Sequence, residues 1–177
     1  HITLILLSIL LATPTLHSAN WPNWRGPNND GTINDGFDYP SKWDKTSNVK
    51  WRTPLPAEGN SSPIIWEDYV ITTQSLPETK ERTTMCFRRS DGKLLWQNGV
   101  TYEEEERTWQ RPLNPYCSGS PVTDGKLIFS SYSSAGMICH DFSGKVIWQR
   151  DLGKVDHEFG NGTSPMLVGD HVVLYQG

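Results

Sequence analysis

One recurring pattern narrows the fold of this chain more than any single residue does. SSPIIWEDYVITT at Ser61 to Thr73, GSPVTDGKLIFSS at Gly119 to Ser131 and TSPMLVGDHVVLY at Thr163 to Tyr175 share a Ser-Pro start followed by a run rich in β-branched residues. A second pattern completes the unit. It reads MCFRRSDGKLLWQ at Met85 to Gln97 and ICHDFSGKVIWQR at Ile138 to Arg150, and NVKWRTPL at Asn48 to Leu55 resembles one further final strand of that kind. Ser62, Ser120 and Ser164 lie 58 and 44 residues apart, with the excess confined to two connections. Tandem self-similarity of this sort means that each unit buries its apolar faces only against its neighbours.

Within the first unit, Pro63 to Trp66, Tyr69 to Ser75, Arg82 to Arg88 and Lys93 to Gly99 read as strands, β-branched and aromatic stretches bounded by turn residues. Asp91-Gly92 and Ser143-Gly144 suit tight hairpins because glycine accepts positive φ. Glu67-Asp68, Asp124-Gly125 and Gly169-Asp170 take the same part between first and second strands. The 8 Trp, 12 Pro and 15 Gly among 177 residues fit a turn-rich chain with large anchoring side chains. Four short strands repeated in tandem predict an all-β fold, a β-propeller of four-stranded antiparallel blades. Residues 48–177 hold about two and a half blades plus an N-terminal strand, short of a closed propeller, so the chain reads as a fragment.

In an up-and-down blade the first-to-second and third-to-fourth connections share one face, and the remaining connections share the other. All five tight turns fall in the first group. The longer segments, Leu76 to Glu81, Asn98 to Tyr116 and Leu152 to Gly162, fall in the second. Function is expected on that long-loop face, where a rigid scaffold holds varied loops. Its candidate binding residues are Trp109, Arg111, Asn114, Tyr116, His157, Glu158 and Asn161. Trp and Arg are the types that anchor interfaces, whereas the run Glu103 to Glu106 reads as a solvated loop. His157 has no partner at catalytic spacing and reads as a hydrogen-bonded structural side chain.

Ahead of the repeats, Ile2 to Ala12 is an apolar run, followed by Pro14 and by small Ser18 and Ala19. Residues 1–19 therefore resemble a secretory signal peptide, with 20–47 an N-terminal extension of a secreted or periplasmic protein that keeps no membrane span after cleavage. Because the chain opens on His1, a longer apolar segment acting as an anchor is the alternative. With 16 Lys and Arg against 20 Asp and Glu, a net charge of -4 and no basic run, nothing points to a nucleic-acid partner.

The fragment Gly92, Lys93 and Trp96, repeated as Gly144, Lys145 and Trp148, resembles the blade motif of the PQQ-like, or quinoprotein-type, propeller repeat family, in secreted bacterial form. The opening WPNWRGPNNDG at Trp21 to Gly31 is similar to the start of such proteins. The resemblance implies that Trp96, Trp148 and Trp51 project from outer strands and dock between blades, with each ring N–H seeking a carbonyl. The first copy departs from the motif, with Arg88-Arg89-Ser90 where an acidic residue is usual.

Two functions follow from the resemblance. The first is a non-catalytic binding or assembly scaffold, comparable in architecture to the propeller component of the outer-membrane protein assembly machinery, taking a protein or small molecule on the long-loop face. The second is a dehydrogenase using PQQ with calcium to oxidise alcohols or sugars, which needs carboxylate and amide oxygens around a hard cation. The residues themselves nominate no catalytic set. Cys86, Cys117 and Cys139 are isolated and read as small buried hydrophobes. GNGTSP at Gly160 to Pro165 opens a strand and not a helix, which removes the context of a phosphate loop. His157-Glu158 lacks a second histidine for zinc, and NNDGTINDGFD at Asn28 to Asp38 does not have calcium-loop spacing and reads as an Asx-rich turn.

Overall fold

The computed structural model describes residues 19–104, 114 and 116–176. All but the last residue of the expected leader, together with Trp109 and Arg111, lie outside them. Strands β1 (Ile64–Trp66), β2 (Tyr69–Leu76), β3 (Glu81–Arg88) and β4 (Leu94–Thr101) form one antiparallel sheet in chain order. A second sheet repeats it with β5 (Val122–Thr123), β6 (Leu127–Ser131), β7 (Met137–Asp141) and β8 (Val146–Arg150). β9 (Met166–Val168) and β10 (His171–Val173) pair as the start of a third. This is the all-β blade arrangement expected from the repeat.

The two complete blades share a register. Cys86 pairs with Trp96 and Cys139 with Trp148, and in both the ladder slips at the next residue, leaving Leu95 and Ile147 as exposed bulges. A bulge re-aims the side chain beside it, here the tryptophan. Trp51 Nε1 donates to the Arg89 carbonyl at 2.8 Å and Trp96 Nε1 to the Phe142 carbonyl at 2.9 Å. Two residues further along, Thr53 Oγ1 and Asn98 Nδ2 donate to the carbonyls of Gly92 and Gly144. Both glycines have positive φ, and a Cβ on either would stand 2.4 Å from the Trp51 ring or 2.6 Å from the Trp96 ring. The side chains of Lys93 and Lys145 are exposed. Their amides instead close the turns, donating to Asp91 and Asp141.

Three apolar clusters follow. Ile64, Ile71 and Cys86 of the first blade enclose Ile128 of the second, with Tyr69, Trp96 and Phe142 around them. Val122, Phe129 and Cys139 meet Leu167 and Val172 of the third unit beside Trp148. Cys117, Tyr132, Ala135 and Ile138 form the third. All three cysteines are buried and none is in a disulfide, and desolvation pushes the thiols of Cys86 and Cys139 up to about 12 and about 11. Polar side chains complete the seams: the amides of Ser62 and Ser120 donate to the hydroxyls of Ser120 and Ser164, each at 2.9 Å.

Some expectations differ in detail. Leu76 to Glu81 is no long loop: Leu76 and Glu81 are the last ladder pair of a hairpin, and Lys80 at φ 56 closes the tight turn between them. β4 likewise runs on to Thr101, since Val100 and Tyr102 have the third apolar cluster to pack against. Asn48 to Leu55 is not a paired strand, because no ladder partner lies beside it among the described residues, although Trp51 and Thr53 make the docking contacts of one. The extension is part of the fold. Trp21 exchanges both backbone hydrogen bonds with Ile65 at 2.7 and 2.9 Å, and Pro22 accepts from the Thr123 amide. Asn28 to Asp38 is the expected Asx-rich turn, with Asp30 and Asp35 accepting from the amides of Thr32 and Phe37.

Trp96→Ala and Trp148→Ala should each lower the unfolding free energy by about 3 kcal/mol, the lower end of the range for aromatic truncation because both rings are half-buried. Chemical denaturation monitored by circular dichroism provides the measurement, with Leu95→Ala, an exposed bulge position, expected to cost well under 1 kcal/mol (roughly).

Candidate functional site: the long-loop face

Antiparallel strand order sends the connections 77–80, 102–121, 132–136 and 151–165 to one face. Their contacts show that they meet there. Lys80 Nζ lies 3.0 Å from Glu103 Oε2, and the Lys80 carbonyl accepts from the Tyr102 amide. Asn114 Nδ2 donates to the Phe159 carbonyl at 2.7 Å, while Asn114 Oδ1 accepts from Ser118 Oγ at 2.6 Å. The Val155 amide donates to Ser134 Oγ at 3.0 Å, and Lys154 stands 3.9 Å from Glu104. The connection 132–136, a short helical turn at Ser133–Ala135, was not singled out in the sequence, because its serines carry no obvious chemistry until Val155 is brought beside them.

Of the sequence-predicted residues, Asn114, Tyr116, His157, Glu158 and Asn161 all belong to this face. Tyr116, at φ 65, lies under the Arg82 guanidinium, whose carbon is 4.6 Å from the ring centroid. Arg82 is 5 % exposed and also donates to Ser75 Oγ at 3.0 Å, so the loop is clamped to β3 by a buried cation. His157 is exposed and its Nδ1 accepts from the Phe159 amide at 3.2 Å, with the two rings 5.7 Å apart. That is the structural part expected for it. Asn161 Oδ1 accepts from the Thr163 amide and shapes the entry into β9. Glu158 is exposed without a bond that fixes it to a reacting centre.

Beside these loops, Asn23, Trp24, Arg25 and Asn29 face Ser118 and Gly162 to Met166 across a cleft of about 480 Å³. One wall is therefore the N-terminal extension. The Arg25 guanidinium sits 5.7 Å from the Trp24 ring, and Trp24 and Met166 are both more than half exposed. No sequence signal located this cleft, since its walls are between 89 and 143 residues apart. The chemistry on offer is recognition: amides, exposed carboxylates and aromatic rings. Among the described residues no group of three His, Cys, Asp or Glu side chains is placed to hold a metal ion. No described helix is long and apolar enough to cross a membrane.

A family model described as outer membrane protein assembly factor BamB matches residues 85–177, just over half of the chain. Comparison with curated proteins returns no match. Among solved structures, the crystal structure of BamB from Moraxella catarrhalis is similar at 15% identity and a TM-score of 0.49, over 72% of this chain and 33% of that one. The chain thus spans about a third of that protein's length.

Asn114→Ala removes the link between two loops and should cost about 1 kcal/mol. Limited proteolysis reads it out: cleavage within 152–162 should accelerate, whereas an unchanged digestion pattern would show that the loops are held independently of Asn114.

Proposed function

The chain belongs to the PQQ-like propeller-repeat family described as outer membrane protein assembly factor BamB, and we propose that it is a secreted or periplasmic binding or assembly scaffold that receives a protein partner on its long-loop face. One observation carries this reading. The connections that enter, cross and leave the second blade are bonded to one another, through Asn114 to the Phe159 carbonyl and Ser134 to Val155, so they form a continuous pre-organised surface. A surface ordered before binding loses less conformational freedom when a partner arrives. Phe159, half exposed, and the exposed carboxylates of Glu103, Glu104, Asp156 and Glu158 provide an apolar anchor with a charged rim. The strand connections described on the opposite face are tight turns.

A photoreactive phenylalanine analogue placed at Phe159, and separately at Lys145 on the turn face, tests the proposal in cells expressing the full-length protein. Cross-links to a protein partner are expected from position 159 and not from 145. Cross-links from 145 alone would reverse the assignment of faces. Saturable binding of PQQ with calcium, accompanied by dye-linked alcohol oxidation, would replace the scaffold reading with a dehydrogenase.

A further inference from the structure

His140 is fully buried in β7, yet neither ring nitrogen has a hydrogen-bond partner among the described residues. Its cross-strand neighbour on β6 is Ile128, whose side chain packs into the first blade with Ile64, Ile71 and Cys86. Cross-strand pairs share a face, so His140 also faces the first blade, and its ring lies 5.5 Å from that of Trp96 on β4. Phe142, two residues on, stacks against Tyr69 of β2 at 5.1 Å. Around the ring the seam is lined by Ile64, Ile71, Cys86 and Ile128. In the first blade the repeat puts Phe87 where the second has His140, so the histidine is a departure that packing does not require.

We propose that His140 makes the joint between the first two blades acid-sensitive: the seam is closed while the imidazole is neutral and opens when it takes up a proton. A charged ring there would have no acceptor. The titratable groups on the seam are Cys86 from β3 and Tyr69 from β2, with Cys117 and Tyr132 on the second-blade side, the latter hydrogen-bonded to Thr84 of β3, whereas Trp96 and Ile128 bring no charge from β4 and β6. The carboxylate that acts on the ring is that of Asp141, and it is already engaged by Ser143 and by the Lys145 amide. Desolvation outweighs it and lowers the imidazole to about 4. The unfolded chain titrates near 6.5, so stability is complete above that value and falls between about 6.5 and 4. The Ser62 to Ser120 bond and the Thr73 bonds to the Cys117 and Gly119 carbonyls cross the same seam, which links its state to the root of the long-loop face.

Cys86 reports on this seam and Cys139 on the next one. Labelling with a pyridyl disulfide, which reacts with thiols in acid, should modify Cys86 well before Cys139 at pH 4.5, and neither of them at pH 7.5. The unfolding constant of the full chain should rise by about seventy-fold more between these pH values than that of His140→Phe, which takes the residue of the first blade. His140→Gln, neutral at both pH values, should match His140→Phe in lacking this extra acid response. Equal acid responses in the wild type and both variants, or labelling of Cys139 as early as Cys86, would overturn the proposal.

Discussion

A single four-stranded sheet leaves two apolar faces and cannot hide either of them alone, and the contact that resolves this is the indole of one blade resting on the glycine turn of its neighbour. Trp96 supplies a large ring, a donor for the Phe142 carbonyl and a fixed distance to Gly144. Gly144 is required twice over, by its positive φ and by the approach of the ring. Trp51 and Gly92 repeat the arrangement one unit earlier. Trp66 does something similar with Gly125, where an added Cβ would stand 2.2 Å from the ring, so each end of the first seam has its own indole contact.

The departure from the motif in the first blade has a local explanation. Asp141 caps the turn of the second blade through Ser143 and Lys145, and Arg88 occupies the matching position in the first. That turn is one residue longer, and Asp91 within it supplies the missing carboxylate, accepting from the Lys93 amide and pairing with Arg88 at 2.9 Å. The geometry needed by Trp51 is kept by a different residue. Glu67 is another substitution of this kind. It takes positive φ where the other blades have glycine, and it is held by the Asn20 side chain and by Arg89.

Because docking fixes how neighbouring blades sit, it also fixes where their loops emerge. The candidate surface depends on the seams: Thr73 of the first blade holds the Cys117 and Gly119 carbonyls at the root of the connection that carries Asn114, which reaches Phe159 on the connection leaving the second blade. The extension takes part in the same way, entering beside Glu67 at the turn end, pairing with Ile65 and finishing at the cleft by Ser118 and Met166. A contact within one seam can therefore bear on the binding face without touching a ligand.

Strand positions, turn positions and the division of connections between two faces were legible in the order of residues, because alternation and glycine placement are local properties that repeat. Leu76 to Glu81 was misjudged since a polar stretch looks alike in a wide loop and in a tight hairpin; only the pairing of Leu76 with Glu81 separates them. The Ser-Pro and Gly-Lys-x-x-Trp repeats thus determined an all-β chain of stacked units with its varied loops to one side. The tertiary structure alone decided that Trp21 would pair with Ile65, that Asn48 to Leu55 would dock without a ladder, and that His140 would be buried between two blades. Those outcomes depend on which distant surfaces meet, and the free energy of burying or pairing a group is set by its neighbours in space, not by those in sequence.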